Sequence, residues 1–266
     1  ISVTVTPVND NAPTITSNGG GASAAISVAE NAAAVTTVTA TDADLPAQSL
    51  TYSISGGADA AMFSINASTG ALSFLAAPDH EAPTDANADN IYDVVVQVSD
   101  GSLTGNQTIA VTVTPVNDNA PVITSNGGGA SAAISVAENA TLVTTVAATD
   151  ADLPGQTLTY SISGGADAGK FTIDANTGVL SFLTAPDYET PTDAGANNIY
   201  DVIVQVSDGA NTDSQAIAVT VTPLNDNNPV ITSDGGGASA AVNVAENTAA
   251  VTTVSATDAD LPVQTL

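Results

Sequence analysis

Along most of the chain apolar and polar residues alternate one for one. Leu50, Tyr52 and Ile54 share one phase, followed by Phe63 and Ile65, then Leu72 and Phe74. The stretch IYDVVVQVSDG places Tyr92, Val94, Val96 and Val98 in step, and TIAVTV does the same with Ile109, Val111 and Val113. A period of two predicts β-strands with one buried face. SGGAD at 55–59, NASTG at 66–70 and SDG at 99–101 supply turns between them. No segment sustains a 3.6-residue stripe over a dozen positions, so no amphipathic helix is expected. About seven short strands in about 100 residues predict an all-β fold, an antiparallel β-sandwich with Greek-key connections.

The whole pattern recurs. Pro7 and Pro115, and likewise Glu30, Glu138 and Glu246, stand 108 residues apart, with no insertion or deletion between copies. Solenoid repeats are only about 20 to 50 residues long, whereas a unit of this length can fold by itself. PVNDNAP at 7–13 and 115–121, and PLNDNNP at 223–229, mark the boundaries. The expected division is the last strand of a preceding repeat at 1–8, whole repeats at 9–116 and 117–224, and the N-terminal part of a further repeat at 225–266. The chain reads as an excerpt from a longer linear array. Its first residues alternate as a strand and show no signal-peptide pattern.

Charge sharpens this picture. Asp and Glu total 28 against one Lys, giving a net charge of −27. Such a surface repels nucleic acid, which is excluded as a partner. No apolar run approaches the roughly 20 residues that span a bilayer, so no membrane insertion is expected. With no cysteine, disulfides, zinc-thiolate sites and thiol nucleophiles are excluded. Carboxylates packed into a fold repel one another unless something neutralises them, and divalent cations do so.

The acids gather where strands end: Glu30 in AEN, Asp42 and Asp44 in TDADL, Asp79 and Glu81 in PDHE, Asp100 in SDG. Calcium takes about six to eight oxygen ligands from carboxylates, Asn side chains and carbonyls. The two acids of an Asp-x-Asp point to one side of an extended chain and can reach one ion. Singly, each is better explained as a turn former bonding nearby backbone than as a ligand. Their recurrence together, in fixed order, favours the ion.

That order resembles the cadherin repeat, in the divergent form found in large bacterial surface proteins. The family's sequence of motifs is a lone Glu, an Asp-x-Asp, an Asp-Arg-Glu, an Ala-x-Asp and a closing Asp-x-Asn-Asp-Asn-x-Pro linker. Here they read Glu30, DAD at 42–44, DHE at 79–81, VSD at 98–100 and PVNDNAP at 115–121; the next copy has Glu138, DAD at 150–152, DYE at 187–189, VSD at 206–208 and PLNDNNP at 223–229. The resemblance covers the whole chain. It implies that each linker and the facing ends of successive domains bind calcium jointly. For the central junction the implied ligands are Glu30, Asp79, Glu81, Asn117, Asp118, Asn119, Asp150, Asp152 and Asp208. The later junction would use Glu138, Asp187, Glu189, Asn225, Asp226, Asn227, Asp258 and Asp260, and the earlier one Asn9, Asp10, Asn11, Asp42, Asp44 and Asp100. Glu246 holds the lone-Glu position of the partial copy.

Two departures matter. The family's first linker Asp is Pro7, Pro115 or Pro223 here, so each junction loses a carboxylate. The middle Arg of Asp-Arg-Glu is His80 or Tyr188, which makes that position a spacer rather than a ligand. His80 has no nucleophile partner and reads as structural. DANADN at 85–90 opens like an EF-hand loop but lacks its flanking helices and closing Glu; an additional ion there is a weaker expectation. NGGGAS at 18–23 lacks the Lys of a phosphate loop and is expected to be a flexible surface loop.

These expectations give a function. Without calcium, carboxylate pairs 4 to 5 Å apart would repel by roughly 3 to 4 kcal/mol each, and the linkers would flex. With calcium, the array would stiffen. The leading reading is a calcium-rigidified spacer of a secreted or surface-anchored bacterial adhesin or extracellular fibre, whose partners are the neighbouring repeats of the same chain. The alternative is a calcium-dependent adhesion module that binds like arrays or a surface glycan. Trp is absent and most Tyr occupy strand positions, which disfavours a glycan platform. Enzyme activity is not expected, because the acids are accounted for by metal binding. The implied location is extracellular or at the cell surface.

Overall fold

The computed structural model describes residues 1–261 and divides into two compact units. The first is Ile1–Asp118 with Asp152–Gly155; the second is Asn119–Ala151 with Gln156 onward. Residues 262–266, the end of the expected partial repeat, lie outside the described residues.

In the first unit the strands are β1 (Thr14–Ile15), β2 (Ser23–Ala29), β3 (Ala34–Thr37), β4 (Ala40–Thr41), β5 (Thr51–Gly56), β6 (Phe63–Ile65), β7 (Ala71–Phe74), β8 (Ile91–Ser99) and β9 (Thr104–Thr114). A four-stranded sheet runs β2-β9-β8-β5 and a three-stranded sheet β3-β7-β6, while β1 pairs with β4. The inward phase of each strand builds the core between the sheets, with Tyr92, Val94, Val96, Val98, Ile109, Val111, Leu72 and Phe74 buried. Phe63 stacks on Phe74 with ring centroids 4.6 Å apart, and Tyr92 meets Phe74 edge-on at 5.1 Å. The Tyr92 hydroxyl accepts the Thr84 amide at 3.1 Å, so a buried aromatic keeps its polar end satisfied. This aromatic trio fastens the sandwich without a disulfide.

The sandwich is not wholly antiparallel. β2 runs parallel to β9, from Ser23 opposite Thr108 to Ala29 opposite Thr114. The reason lies in the glycine run: Asn18, Gly19, Gly20 and Gly21 all have positive φ, which lets the chain leave β1 and cross to the other sheet. Nor is this loop loose. Gln107, on the inward phase of β9 and 0% exposed, donates Nε2–H to Gly21 O at 3.2 Å. Thr36 Oγ1 donates to Asn18 Oδ1 at 3.0 Å.

The second unit repeats the plan with β10 (Val122–Ile123), β11 (Ser131–Ala137), β12 (Leu142–Thr145), β13 (Ala148–Thr149), β14 (Thr159–Gly164), β15 (Phe171–Ile173), β16 (Val179–Phe182), β17 (Ile199–Ser207) and β18 (Thr212–Thr222). Its sheets are β11-β18-β17-β14 and β12-β16-β15, and Phe171, Phe182 and Tyr200 rebuild the aromatic trio. Gln215 donates to Gly129 O at 2.8 Å. Gln215→Ala would remove that bond and the one its Oε1 accepts from Asn126 Nδ2 at 3.2 Å, at a fully buried position, so this unit should lose about 1 to 3 kcal/mol, read as a lower melting transition.

The ends behave differently. Residues 1–8, expected as a strand, form none; Ile1, Val3 and Val5 are exposed. Their counterparts in β9 are flanked by β2 and β8, whereas residues 1–8 pair with no strand among the described residues. In the partial repeat only β19 (Val230–Ile231) and β20 (Ala256–Thr257) pair among the described residues, and Val242 and Val244 remain exposed.

Candidate metal centre

Glu30 follows β2 directly, where its amide extends the strand ladder to Thr114 O at 3.0 Å. Its side chain turns inward and is 4% exposed. Oε1 accepts the Val116 amide at 2.6 Å and Oε2 the His80 amide at 2.7 Å. One carboxylate thereby ties the linker and the DHE loop to the end of β2. Asp79 Oδ1 accepts the amides of Glu81 and Ala82 at 3.0 and 3.2 Å, curling that loop. Glu30, Asp79 and Glu81 then offer carboxylate oxygens within 4.8 Å of one another.

Glu81, Asp118 and Asp152 form another such group within the same compact unit. Glu81 Oε1 accepts the Leu153 amide at 3.0 Å, while its Oε2 is buried with no hydrogen-bond partner. Asp118 Oδ2 accepts from the side-chain amide of Asn31. The sequence reading passes over Asn31 and its counterpart Asn139, which donates to Asp226 Oδ2 at 2.6 Å. The signal was present: AEN recurs with its Asn at 31, 139 and 247, and an Asn in a left-handed conformation (φ 63° at Asn31) marks a special turn.

Elsewhere in the first unit Asp42, Asp44 and Asp100 converge. Asn11 donates Nδ2–H to Asp44 Oδ1 at 2.6 Å and its main-chain N–H to Oδ2 at 3.0 Å. These bonds, the side-chain one foremost, hold the Asp44 carboxyl below its usual range. The amides of Leu103 and Ser102 lower Asp100 in the same way. Asp42 Oδ1 accepts the Asp44 amide at 2.9 Å, and its Oδ2 is buried without a partner. In the second unit Glu138, Glu189 and Asp226 converge. Glu138 accepts the Leu224 amide at 2.6 Å and the Tyr188 amide at 2.8 Å, as Glu30 does for its counterparts. Asp260, 0% exposed, takes Asn227 Nδ2–H and N–H on Oδ1 at 2.9 and 3.0 Å, and the side-chain bond above all lowers its pKa. Its Oδ2 is buried without a partner.

Other candidate residues are placed less directly. Asp150 and Asp208 bring oxygens within 4.8 Å of each other, and Asp208 Oδ1 also accepts the Asn211 amide at 2.6 Å. Asn119 O accepts Asn211 Nδ2–H at 3.1 Å. Asn9 donates to Gln48 Oε1 at 2.8 Å, and Asp10 accepts from Asn11 at 3.0 Å and joins no carboxylate group among the described residues. Asp187 is occupied with the Glu189 and Thr190 amides, both at 3.0 Å, and Asp258 with the Asp260 amide at 3.1 Å. Asn117 is half-buried and Asn225 exposed on their linkers. Glu246 is exposed and belongs to no group among the described residues.

The DANADN segment does not gather oxygens toward an ion. Asp85 accepts the amides of Asp89 and Asn90 at 2.9 and 3.3 Å, and buried Asp59 those of Ala86 and Asp93 at 2.7 and 2.8 Å. These carboxylates are spent on backbone. Asp174 is a further turn acid: the Thr177 and Asn176 amides lower its pKa, whereas the first unit has neutral Asn66 there. A depressed folded-state pKa stabilises above the unfolded value of about 3.9 and is lost as pH falls through the folded one. Asp174→Asn should therefore flatten the acid limb of melting temperature against pH below about pH 4.

The donor set suits a hard divalent cation: carboxylate oxygens, several buried without a partner, and no Lys or Arg among them. His80 Nδ1 lies 3.4 Å from Glu81 Oε1. Residues 24–114 and 132–222 match the Cadherin domain family. The chain belongs to the cadherin family. Protocadherin-23 of Homo sapiens is 31% identical over 242 residues, covering 88% of this chain and 7% of that protein. Cadherin-23 of Mus musculus is 31% identical over 248 residues, again 88% and 7%. The chain thus spans only a small fraction of the curated relatives it matches. Among solved structures, mouse Cadherin-23 EC22-24 aligns with a TM-score of 0.65 at 23% identity over 94% of this chain and 79% of that one, a likeness of fold. The protocadherin gammaB7 EC3-6 cis-dimer structure aligns at 0.60 with 28% identity, over 83% and 53%. These named relatives are animal cadherins, so the bacterial origin inferred from the motifs gains no support from them. Among the described residues no helix is long and apolar enough to cross a membrane.

Proposed function

We propose that these cadherin repeats bind calcium at their linkers and serve as a stiffened spacer or adhesion segment of an extracellular, surface-attached protein. The observation that carries this reading is Glu81, whose Oε2 is buried and unpartnered where Asp118 and Asp152 also converge. Three carboxylates within 4.8 Å repel by about 3.5 kcal/mol per pair at an effective dielectric of about 20. A bound calcium ion would supply two positive charges and accept the oxygens that lack hydrogen-bond donors. Glu30 holds the loop in place, Asn31 orients Asp118, and Leu153 N–H orients Glu81. Asp152 belongs in sequence to the second repeat, so a cation shared with Glu81 and Asp118 would recruit ligands from both repeats.

Scattering by the chain in millimolar calcium and in chelator tests the spacer role. The maximum dimension should be better defined and larger with calcium, and superimposable curves would overturn stiffening. One relative is named for a cis-dimer, which supports self-association as a second reading. Sedimentation in calcium should then show a concentration-dependent dimer. A monomer throughout would leave the spacer role alone.

A further inference from the structure

Asn90 and Asn198 close the DANADN and DAGANN segments, and both hold a left-handed backbone at φ 61°. Each is held at three points. The Asn90 amide donates to Asp85 Oδ1 at 3.3 Å, its carbonyl accepts the Val113 amide at 2.9 Å, and its Nδ2 donates to His80 O at 3.0 Å. Asn198 does the same with Asp193 Oδ1 at 3.0 Å, the Val221 amide at 2.9 Å and Tyr188 O at 2.9 Å. In both, Oδ1 is buried with no partner. An unpaired buried acceptor is costly, and both repeats bear it. The side chain is therefore placed for what its Nδ2 donates.

The acceptor of that donation is the middle residue of the Asp-x-Glu loop. His80 is bonded through its amide to Glu30 Oε2 at 2.7 Å and through its carbonyl to Asn90; Tyr188 is bonded at the same two points by Glu138, at 2.8 Å, and Asn198. With the peptide units on both sides of that residue held, the backbone that carries Asp79 and Glu81, and Asp187 and Glu189, is held as well. The middle residue contributes only its main-chain atoms to these bonds, which is why the side chain there can be His in one repeat and Tyr in the other. We propose that Asn90 and Asn198 are positioning residues for the cation groups, and that the DANADN and DAGANN segments exist to present them. This rests on the calcium reading above.

The test is Asn90→Gly with Asn198→Gly in the full chain, because glycine keeps the left-handed backbone and removes only the side-chain amide. Calorimetric calcium titration should show the half-saturation concentration raised about tenfold, as for other residues that orient metal ligands. In chelator, the amides of residues 80–82 and 188–190 should exchange hydrogen faster, and the melting temperature should fall less than it does in calcium. Unchanged affinity, with equal loss of melting temperature in calcium and in chelator, would make these residues merely structural and overturn the proposal. If the double variant fails to fold, Asn198→Gly alone carries the same readouts. A parent chain that binds no calcium would overturn the calcium reading; unaltered exchange in chelator would separately overturn the positioning role of Asn90 and Asn198.

Discussion

Replacing Glu30 with alanine is expected to destabilise the first unit by about 3 to 5 kcal/mol, because two backbone amides lose a charged acceptor, each bond worth roughly 1.5 to 3 kcal/mol. The His80 and Val116 amides donate to this carboxylate at 2.7 and 2.6 Å, and both bonds go with it. For a domain of about 100 residues the melting transition should drop by more than about 10 °C. Glu30→Gln separates the two roles of the side chain. It keeps an acceptor for one amide and recovers part of the stability, yet lacks the charge a cation needs. Calorimetric melts of both variants in calcium should therefore rank parent, Gln, Ala. Similar melts for parent and Ala would show that Glu30 does not join the linker to the loop.

Removing calcium should have an effect of comparable size. Extracellular calcium modules bind with dissociation constants of about 10⁻⁴ to 10⁻³ M, so 10 mM calcium stabilises by about 1.4 to 2.7 kcal/mol per ion. With several carboxylate groups in the chain, chelator should lower both unfolding transitions clearly. Salt distinguishes the cause. In chelator, added sodium chloride should raise the melting temperature by screening the converging carboxylates; in calcium it should do little. A salt response identical in both conditions would mean that the clustered charges are not what calcium neutralises.

Strand identity was legible because the alternation is strict: Tyr92, Val94, Val96 and Val98 are all buried on the inward phase of β8. Gln107 was legible too, had the phase of Ile109, Val111 and Val113 been followed back two residues. The parallel placement of β2 was not. A local pattern states that Ala24, Ile26 and Val28 face inward but not which sheet they join, and that choice rests on four left-handed residues in the glycine run. The acids divide the same way. Motif order singled out Glu30, Glu81, Asp118 and Asp152, which do converge, yet composition alone could not separate them from Asp59 and Asp85, whose oxygens are taken by backbone amides. An aspartate in a turn and an aspartate in a metal site look identical until the third dimension shows where their oxygens point. Asn31 and Asn90 stand outside the ligand positions of the motifs that supplied Asn117 and Asn119, and their roles show only in the bonds they donate to Asp118 and His80, though both recur with the repeat.

The most direct measurement is calcium uptake by flow dialysis at about 0.15 M sodium chloride with magnesium as competitor, for the parent chain and for Asp118→Asn with Asp226→Asn. Saturable binding in the 10⁻⁴ to 10⁻³ M range, resistant to magnesium and reduced in the variant, is the predicted result. Uptake that rises linearly, is displaced equally by magnesium and is the same in both chains would be diffuse attraction to a charge of −27, and would contradict calcium sites at the linkers.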